Sequence, residues 1–281
     1  YWGQSLLAGG AILGIAGSMA ALDISKAYSV PGSEAKELFM PNNKVSTVVQ
    51  ITDNLTLNAF YAFEHLVHRF PEEGTYFNPA EILTEDSEFV TLAPAVANEF
   101  RSGLRVRDDK YNDSGEWGVN LQYTIEPWGL ETSLVYISAT DRSVSGLYGS
   151  TTPGQVSPEE FGKFREKSQA NVIGYYGWAY KSEIDVYGLS LSKQMFDISF
   201  GMDLVYRQDA ALNPSLAASL LGRPGNLVSD YSGDPNDYPG ATGDVYTLVI
   251  NGLGLMNGDW GLWDGGSWIL EATASMLDST N

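Results

Sequence analysis

Apolar and polar positions alternate along residues 197–206, which read DISFGMDLVY. Ile198, Phe200, Met202, Leu204 and Tyr206 share one face, and Asp197, Ser199, Gly201, Asp203 and Val205 share the other. A period of two is the mark of a β-strand with one apolar side. The pattern recurs in pairs. Residues 45–51 and 55–63 flank the turn Thr52-Asp53-Asn54; Leu55, Leu57, Ala59, Tyr61 and Phe63 lie on one face, with Thr56, Asn58, Phe60, Ala62 and Glu64 opposite. Residues 116–124 group Trp117, Val119, Leu121 and Tyr123 against Gly118, Asn120, Gln122 and Thr124. A turn through Pro127 and Gly129 leads into 130–137, where Leu130, Thr132, Leu134 and Tyr136 oppose Glu131, Ser133 and Val135. Residues 184–191 turn at Ser192–Phe196 into 197–206, and 245–255 pairs with 267–276 across a Gly- and Trp-rich turn. Eight strands in four hairpins are predicted.

The connections alternate in length. Turns within a hairpin are a handful of residues, whereas the links between hairpins, 65–115, 138–183 and 207–244, are long. Structureless links of that length are uncommon in a compact soluble domain. Outer-membrane barrels have this asymmetry by construction. In a bilayer every backbone polar group must be satisfied internally, so strands span only as a closed barrel, with an apolar outward face and aromatics at both interfaces. The expected fold is all-β: a transmembrane, antiparallel, up-and-down β-barrel of the outer-membrane type. Leu57, Trp117, Leu121, Tyr123, Leu134, Ile198, Phe200, Met202, Leu204 and Tyr206 form the expected lipid-facing set. A soluble β-sandwich would produce the same alternation but leaves the long links unexplained.

If those faces meet lipid, the lumen receives Glu64, Glu116, Glu131, Asp197, Asp203 and Glu271, together with Asn58, Asn120 and Gln122. No Lys or Arg falls on these inward strand positions. Carboxylates costly in lipid are tolerable against water, and an acidic lumen favours cations, unless other segments supply counter-charges. Phe60, Val135, Val186, Val205 and Val249 also face inward, so the expected lumen is amphipathic. It suits apolar solutes or a packed plug.

The plug candidate is the segment 6–40. Leu6–Leu22 is uncharged. It is short for a membrane helix and broken by Gly9, Gly10, Gly14 and Gly17, it lacks the basic start of a signal peptide, and the expectation is an apolar segment packed inside protein. Val30-Pro31-Gly32 forms a turn, and Ser33 is a candidate N-cap with Glu34 and Glu37 near a helix start. An extracellular loop over the mouth is the alternative to inward placement. The expected organisation is residues 1–43 as the plug segment with short helices and 44–281 as part of one barrel, incomplete at both ends.

Composition narrows the chemistry. With 35 acidic residues against 16 basic, the formal charge is −19, which disfavours nucleic acid. Cysteine is absent, which removes disulfides and thiolate sites. His65 and His68 are the only histidines, and sequence places no third ligand beside them. Asp230, Asp234, Asp237 and Asp244 lack the spacing of a calcium loop. No metal or cofactor is expected. A hydrolase would need a nucleophile beside a base, and no GxSxG elbow is present.

Several stretches resemble a family of Gram-negative outer-membrane barrels known as a domain of unknown function, number thirteen-zero-two. They are Tyr1–Leu7 (YWGQSLL), Gly9–Ile12 (GGAI), Val30–Phe39 (VPGSEAKELF), Pro71–Phe77 (PEEGTYF) and Leu262–Trp268 (LWDGGSW). The resemblance implies an outer-membrane location, a longer parent chain, and a porin-like role in bacteria that degrade hydrophobic compounds. The expected function is a channel for passive passage of small hydrophobic or amphipathic molecules, without catalysis. The expected partners are outer-membrane lipid and lipopolysaccharide, a small hydrophobic solute and a periplasmic protein. A structural, adhesive or partner-docking barrel is the alternative, and an outer-membrane hydrolase the remote one.

Overall fold

The computed structural model describes residues 2–3, 20–33, 35–76, 78, 84, 87, 89–94, 100–105, 115–150, 171–212, 238, 241–257 and 265–280. The eight expected strands are present in the expected hairpins: β2 (Asn42–Thr52) with β3 (Leu55–Ala62), β6 (Trp117–Ile125) with β7 (Leu130–Ala139), β10 (Ile184–Met195) with β11 (Ile198–Ala211), and β12 (Thr242–Asn257) with β13 (Gly265–Thr280). A two-residue strand β1 (Trp2–Gly3) adds to the β2 edge. The order β1-β2-β3-β6-β7-β10-β11-β12-β13 is an antiparallel meander. Among the described residues, its two end strands do not pair with each other, so the sheet is open.

Turn chemistry accounts for the tight hairpin ends. Phe196 and Asp197 both have positive φ, 51° and 62°, the backbone of a two-residue turn whose twist matches the strands it joins. Glu126–Trp128 forms one 3₁₀ turn, closed by Gly129 at φ 55°. Gly118 is required for another reason. A Cβ there would lie 2.7 Å from the Phe60 ring, so only a residue without a side chain lets that ring lie flat across β6.

Two links depart from expectation. Residues 65–115 and 138–183 are not structureless: they hold β4 (Phe89–Pro94), β5 (Phe100–Arg105), β8 (Gly146–Ser150) and β9 (Asn171–Ala179). These form a second sheet in the order β4-β5-β9-β8, with β5 and β9 parallel. The third link is shorter than 207–244, because β11 continues to Ala211 and β12 begins at Thr242; residues 213–237 lie outside the described residues.

The N-terminal segment is described from Ala20. Leu22–Asp23 bridges Phe39 on one side and Arg69 on the other, followed by α1 (Ile24–Ser29) and α2 (Ala35–Leu38). Asp23 caps α1 by accepting the Lys26 N–H, an N-cap role for which its carboxylate is well suited. Ser33 does not act as expected: its hydroxyl donates back to the Val30 carbonyl at 2.8 Å and closes the turn. The apolar run through residue 19, with its glycines, lies outside the described residues. Ala20 and Ala21 at its end are buried. Among the described residues no helix is long and apolar enough to cross a membrane.

Candidate functional site

The meander has two unlike faces. On the first, strand register aligns apolar side chains into rows across the sheet, such as Leu57–Leu121–Leu134–Leu189–Leu204–Leu248. Trp117, Leu121, Tyr123, Leu134, Phe200 and Leu204 of the expected lipid-facing set are exposed, Leu134 at 60%. Leu57, Ile198, Met202 and Tyr206 are partly exposed on the same face. Among the described residues no second layer shields them.

A row of aromatic rings bounds this face at the end of the long links. Trp117, Tyr136, Tyr187, Tyr206 and Tyr246 follow one another at centroid spacings of 5.0, 5.2, 5.9 and 4.7 Å, and Tyr61 extends the row by register with Trp117. The phenol of Tyr136 donates to Asp185 at 2.7 Å and that of Tyr206 to Asp244 at 3.0 Å. Both acceptors lie two residues from the next tyrosine of the row, on the side of the long links. Each ring therefore joins an apolar body to a polar tip, the arrangement that suits a boundary between oil and water.

The second face is tiered. At the long-link end, Glu116 lies just before β6 and is 3% exposed. Its carboxylate accepts from Arg142 Nη2 at 2.6 Å, His65 Nδ1 at 2.8 Å and the Thr140 N–H at 3.0 Å. Burial alone would raise its pKa, but Arg142 and His65 outweigh burial and bring it down to about 2. Arg142 also donates to the Leu66 carbonyl at 2.9 Å, tying the link after β3 to the end of β7. Lys44 is buried beside this group, 5.7 Å from the Phe60 ring centroid. His68 Nδ1 accepts the Leu22 N–H at 2.9 Å; burial first, then the charges of Arg142 and His65, push its pKa down to about 4. The two histidines thus take separate partners, and among the described residues no cluster of three metal-ligating groups forms.

The next tier is apolar and closed. Phe60, Val135, Val186, Val205 and Val249, the apolar residues expected to face inward, are all buried, and Ile137 is buried with them. Ile137 and Val249 are 0% exposed. Below it, toward the short turns, the face is polar and open. Asn58 donates to Gln122, Ser133 to Asn120 and Ser190 to Asp203, at 3.1, 2.7 and 2.6 Å. A cavity of about 440 Å³ opens here among Gln122, Glu131, Ser190, Ser192, Asp203 and Asn251.

The structure separates the expected lumen residues. Asn120 is fully buried on this face and Asp203 and Asn58 nearly so; Gln122 and Glu131 are exposed at the open end. Asp197 sits in the β10–β11 turn, Glu271 is exposed on β13, and Glu64 lies beyond β3, where it accepts the Asn43 N–H at 2.5 Å. Cations also reach this face, contrary to expectation. β2 begins at Asn42 and β11 ends at Ala211, so Lys44 and Arg207 join the inward register; Arg142 and Lys181 follow just outside the strands. Lys181 pairs with Asp209 at 2.8 Å. Of the acid-rich stretch, Asp230, Asp234 and Asp237 lie outside the described residues, and Asp244 is engaged by Tyr206 and by the Asp209 N–H.

A family model described as "Protein of unknown function (DUF1302)" matches residues 1–281. The chain belongs to that family. The blocks singled out in the sequence therefore sit within a match that spans every strand of this DUF1302 chain. A comparison with curated proteins found no match.

Proposed function

We propose that the meander of this DUF1302 chain is wall of a transmembrane barrel in a bacterial outer membrane, and that the barrel passes small hydrophobic or amphipathic molecules passively. The observation that carries the reading is the exposed apolar face bounded by the aromatic row. From Tyr187 to Met195 the strand rises about 26 Å at about 3.3 Å per residue, and a tilt of about 40° leaves a band about 20 Å tall. Outer-membrane barrels carry an apolar band of about 25 Å with aromatic girdles. In water such a face would be an aggregation hazard; in lipid it is a solvated surface. The tiered second face is then the lumen, wet at the short-turn end and constricted where Ile137, Val186 and Val249 are packed. That closed tier also favours a second reading, a barrel that transports nothing and presents its links to a partner.

The absence of cysteine makes the test direct. Single substitutions Leu121→Cys, Phe200→Cys, Gln122→Cys and Glu131→Cys are introduced, and the full protein is reconstituted in liposomes. A membrane-impermeant maleimide is expected to label positions 122 and 131 and to spare 121 and 200. Rapid labelling at 121 and 200 overturns the membrane reading. With the topology upheld, liposome swelling in small amphipathic solutes supports passage, and no swelling with any solute transfers the assignment to the structural reading.

A further inference from the structure

The open end of the second face carries one group with no explanation in the fold. Asp203 is 4% exposed and lines the cavity. Its Oδ1 accepts from Ser190 Oγ at 2.6 Å, while its Oδ2 is buried with no hydrogen-bond partner among the described residues. A buried carboxylate oxygen without a donor is costly and calls for a compensating charge. Among the described residues the surroundings do not supply one. Register places Ser190 and Val249 on either side of Asp203. One tier nearer the short turns come Glu131, Ser192, Gly201 and Asn251, and Asp53 lines the same cavity. The inward cation on β11 is Arg207, four residues along and about 13 Å away at strand rise, beyond the buried Val205.

Most of the other side chains around the cavity carry oxygen. Ser192 Oγ lies 3.4 Å from Glu131 Oε2. Gly201 is bare, and Asn251 Oδ1 occupies the space a Cβ there would fill, 2.4 Å from that point. The bare backbone at 201 lets the Asn251 carboxamide fold over β11, two positions along from Asp203. Asp203 is the one buried carboxylate of this cavity, Glu131 and Asp53 being exposed to solvent, and a single buried carboxylate among hydroxyl and carboxamide oxygens is the donor set of a site for a hard cation of low charge.

We propose that this groove is a binding site for a monovalent cation, a bare alkali-metal ion or the ammonium head of an amphipathic solute, with Asp203 as the residue that recognises charge. The proposal rests on the barrel reading in that the groove then faces the aqueous lumen. It names the charge of what enters: cations and alkylamines are taken up, and anions are excluded.

The test separates binding from conduction. The full protein in detergent micelles is melted in matched ionic strengths of potassium chloride, butylammonium chloride and N-methyl-D-glucamine chloride. Potassium or butylammonium is expected to raise the melting temperature by roughly 3 °C over the bulky cation, and Asp203→Asn, which keeps the Ser190 bond, to abolish the difference. Potassium acting alone identifies the ion, and butylammonium acting alone identifies the ammonium head. A wild-type protein that melts identically in all three salts overturns the proposal, whatever the variant does; so does a shift that survives in Asp203→Asn. In planar bilayers under a tenfold potassium chloride gradient, the wild type is expected to reverse toward potassium and Asp203→Asn to reverse nearer zero. Absence of any conductance counts against the channel and leaves the melting experiment to judge the site.

Discussion

Replacing Arg142 by Met tests whether the ionic knot at the long-link end holds the links to the sheet. The substitution keeps most of the stem and removes the guanidinium that lies 2.6 Å from Glu116 and 2.9 Å from the Leu66 carbonyl. Both charges are buried, so solvent screens them little. At an effective dielectric of about 20 the gross attraction is roughly 6 kcal/mol, and desolvation cancels part of it. Linkage gives an independent figure. Glu116 has its pKa lowered from 4.5 to about 2, which corresponds to about 3 kcal/mol present above pH 4.5 and lost as pH falls through 2. Removing one partner of a buried pair costs about 3–5 kcal/mol. The expected loss is near the lower figure, because His65 and the Thr140 amide still hold the carboxylate. The assay is urea unfolding in micelles followed by tryptophan fluorescence, run as a cycle with Glu116→Gln. The double variant is expected to be less destabilised than the sum of the two, by at least about 1.5 kcal/mol. A loss under about 1 kcal/mol for Arg142→Met, or strict additivity, refutes the knot.

Three further outcomes follow from particular residues. His68 is held neutral, with a pKa near 4 against 6.5 unfolded; its contribution is complete above pH 6.5 and is lost as pH falls to 4, so amide exchange at Leu22 should quicken over that window, and His68→Gln, which keeps an acceptor, should flatten the dependence. Leu134→Arg places a cation in the middle of the apolar face and should cost about 2–4 kcal/mol of folding free energy in vesicles; a change within about 0.5 kcal/mol, as for ordinary surface sites, speaks against lipid contact. Asp197→Gly relieves a side chain held at φ 62° and should raise stability by about 0.5–1 kcal/mol in the same urea assay; a loss of stability would show that the aspartate side chain does more than tolerate the turn.

The hairpins were legible because each strand repeats its apolar residue at every second position and ends on turn residues. The ends of the strands were not. Arg207 to Ala211 reads as polar loop, yet it continues β11 and pairs with Gly243 and Thr242 across a bulge. That extension, with the one at Asn42, placed Lys44 and Arg207 where no inward cation was expected. The strands of the second sheet are short, and one pairing, β5 with β9, is parallel and joins segments from different links; periodicity cannot announce such a partner. Nor can it join His65 to Glu116 across 51 positions or Arg142 to Glu116 across 26. The tyrosine row occupies an intermediate case. Trp117, Tyr136 and Tyr206 were visible near strand ends, but Tyr187 and Tyr246 were not singled out, and the common height of the row depends on registers that only the assembled sheet fixes.

The parallel pairing of β5 with β9 constrains the order of assembly. One partner belongs to the chain between the first and second hairpins and the other to the chain between the second and third, so their ladder cannot form until the second hairpin and the chain through Ala179 have been made. Synthesis that halts after β7 leaves β4 and β5 made but β9 unborn, with one side of β5 bare. A barrel inserting hairpin by hairpin would thus complete its superstructure late, and the moment of that completion could be timed by protection of the β5 amides.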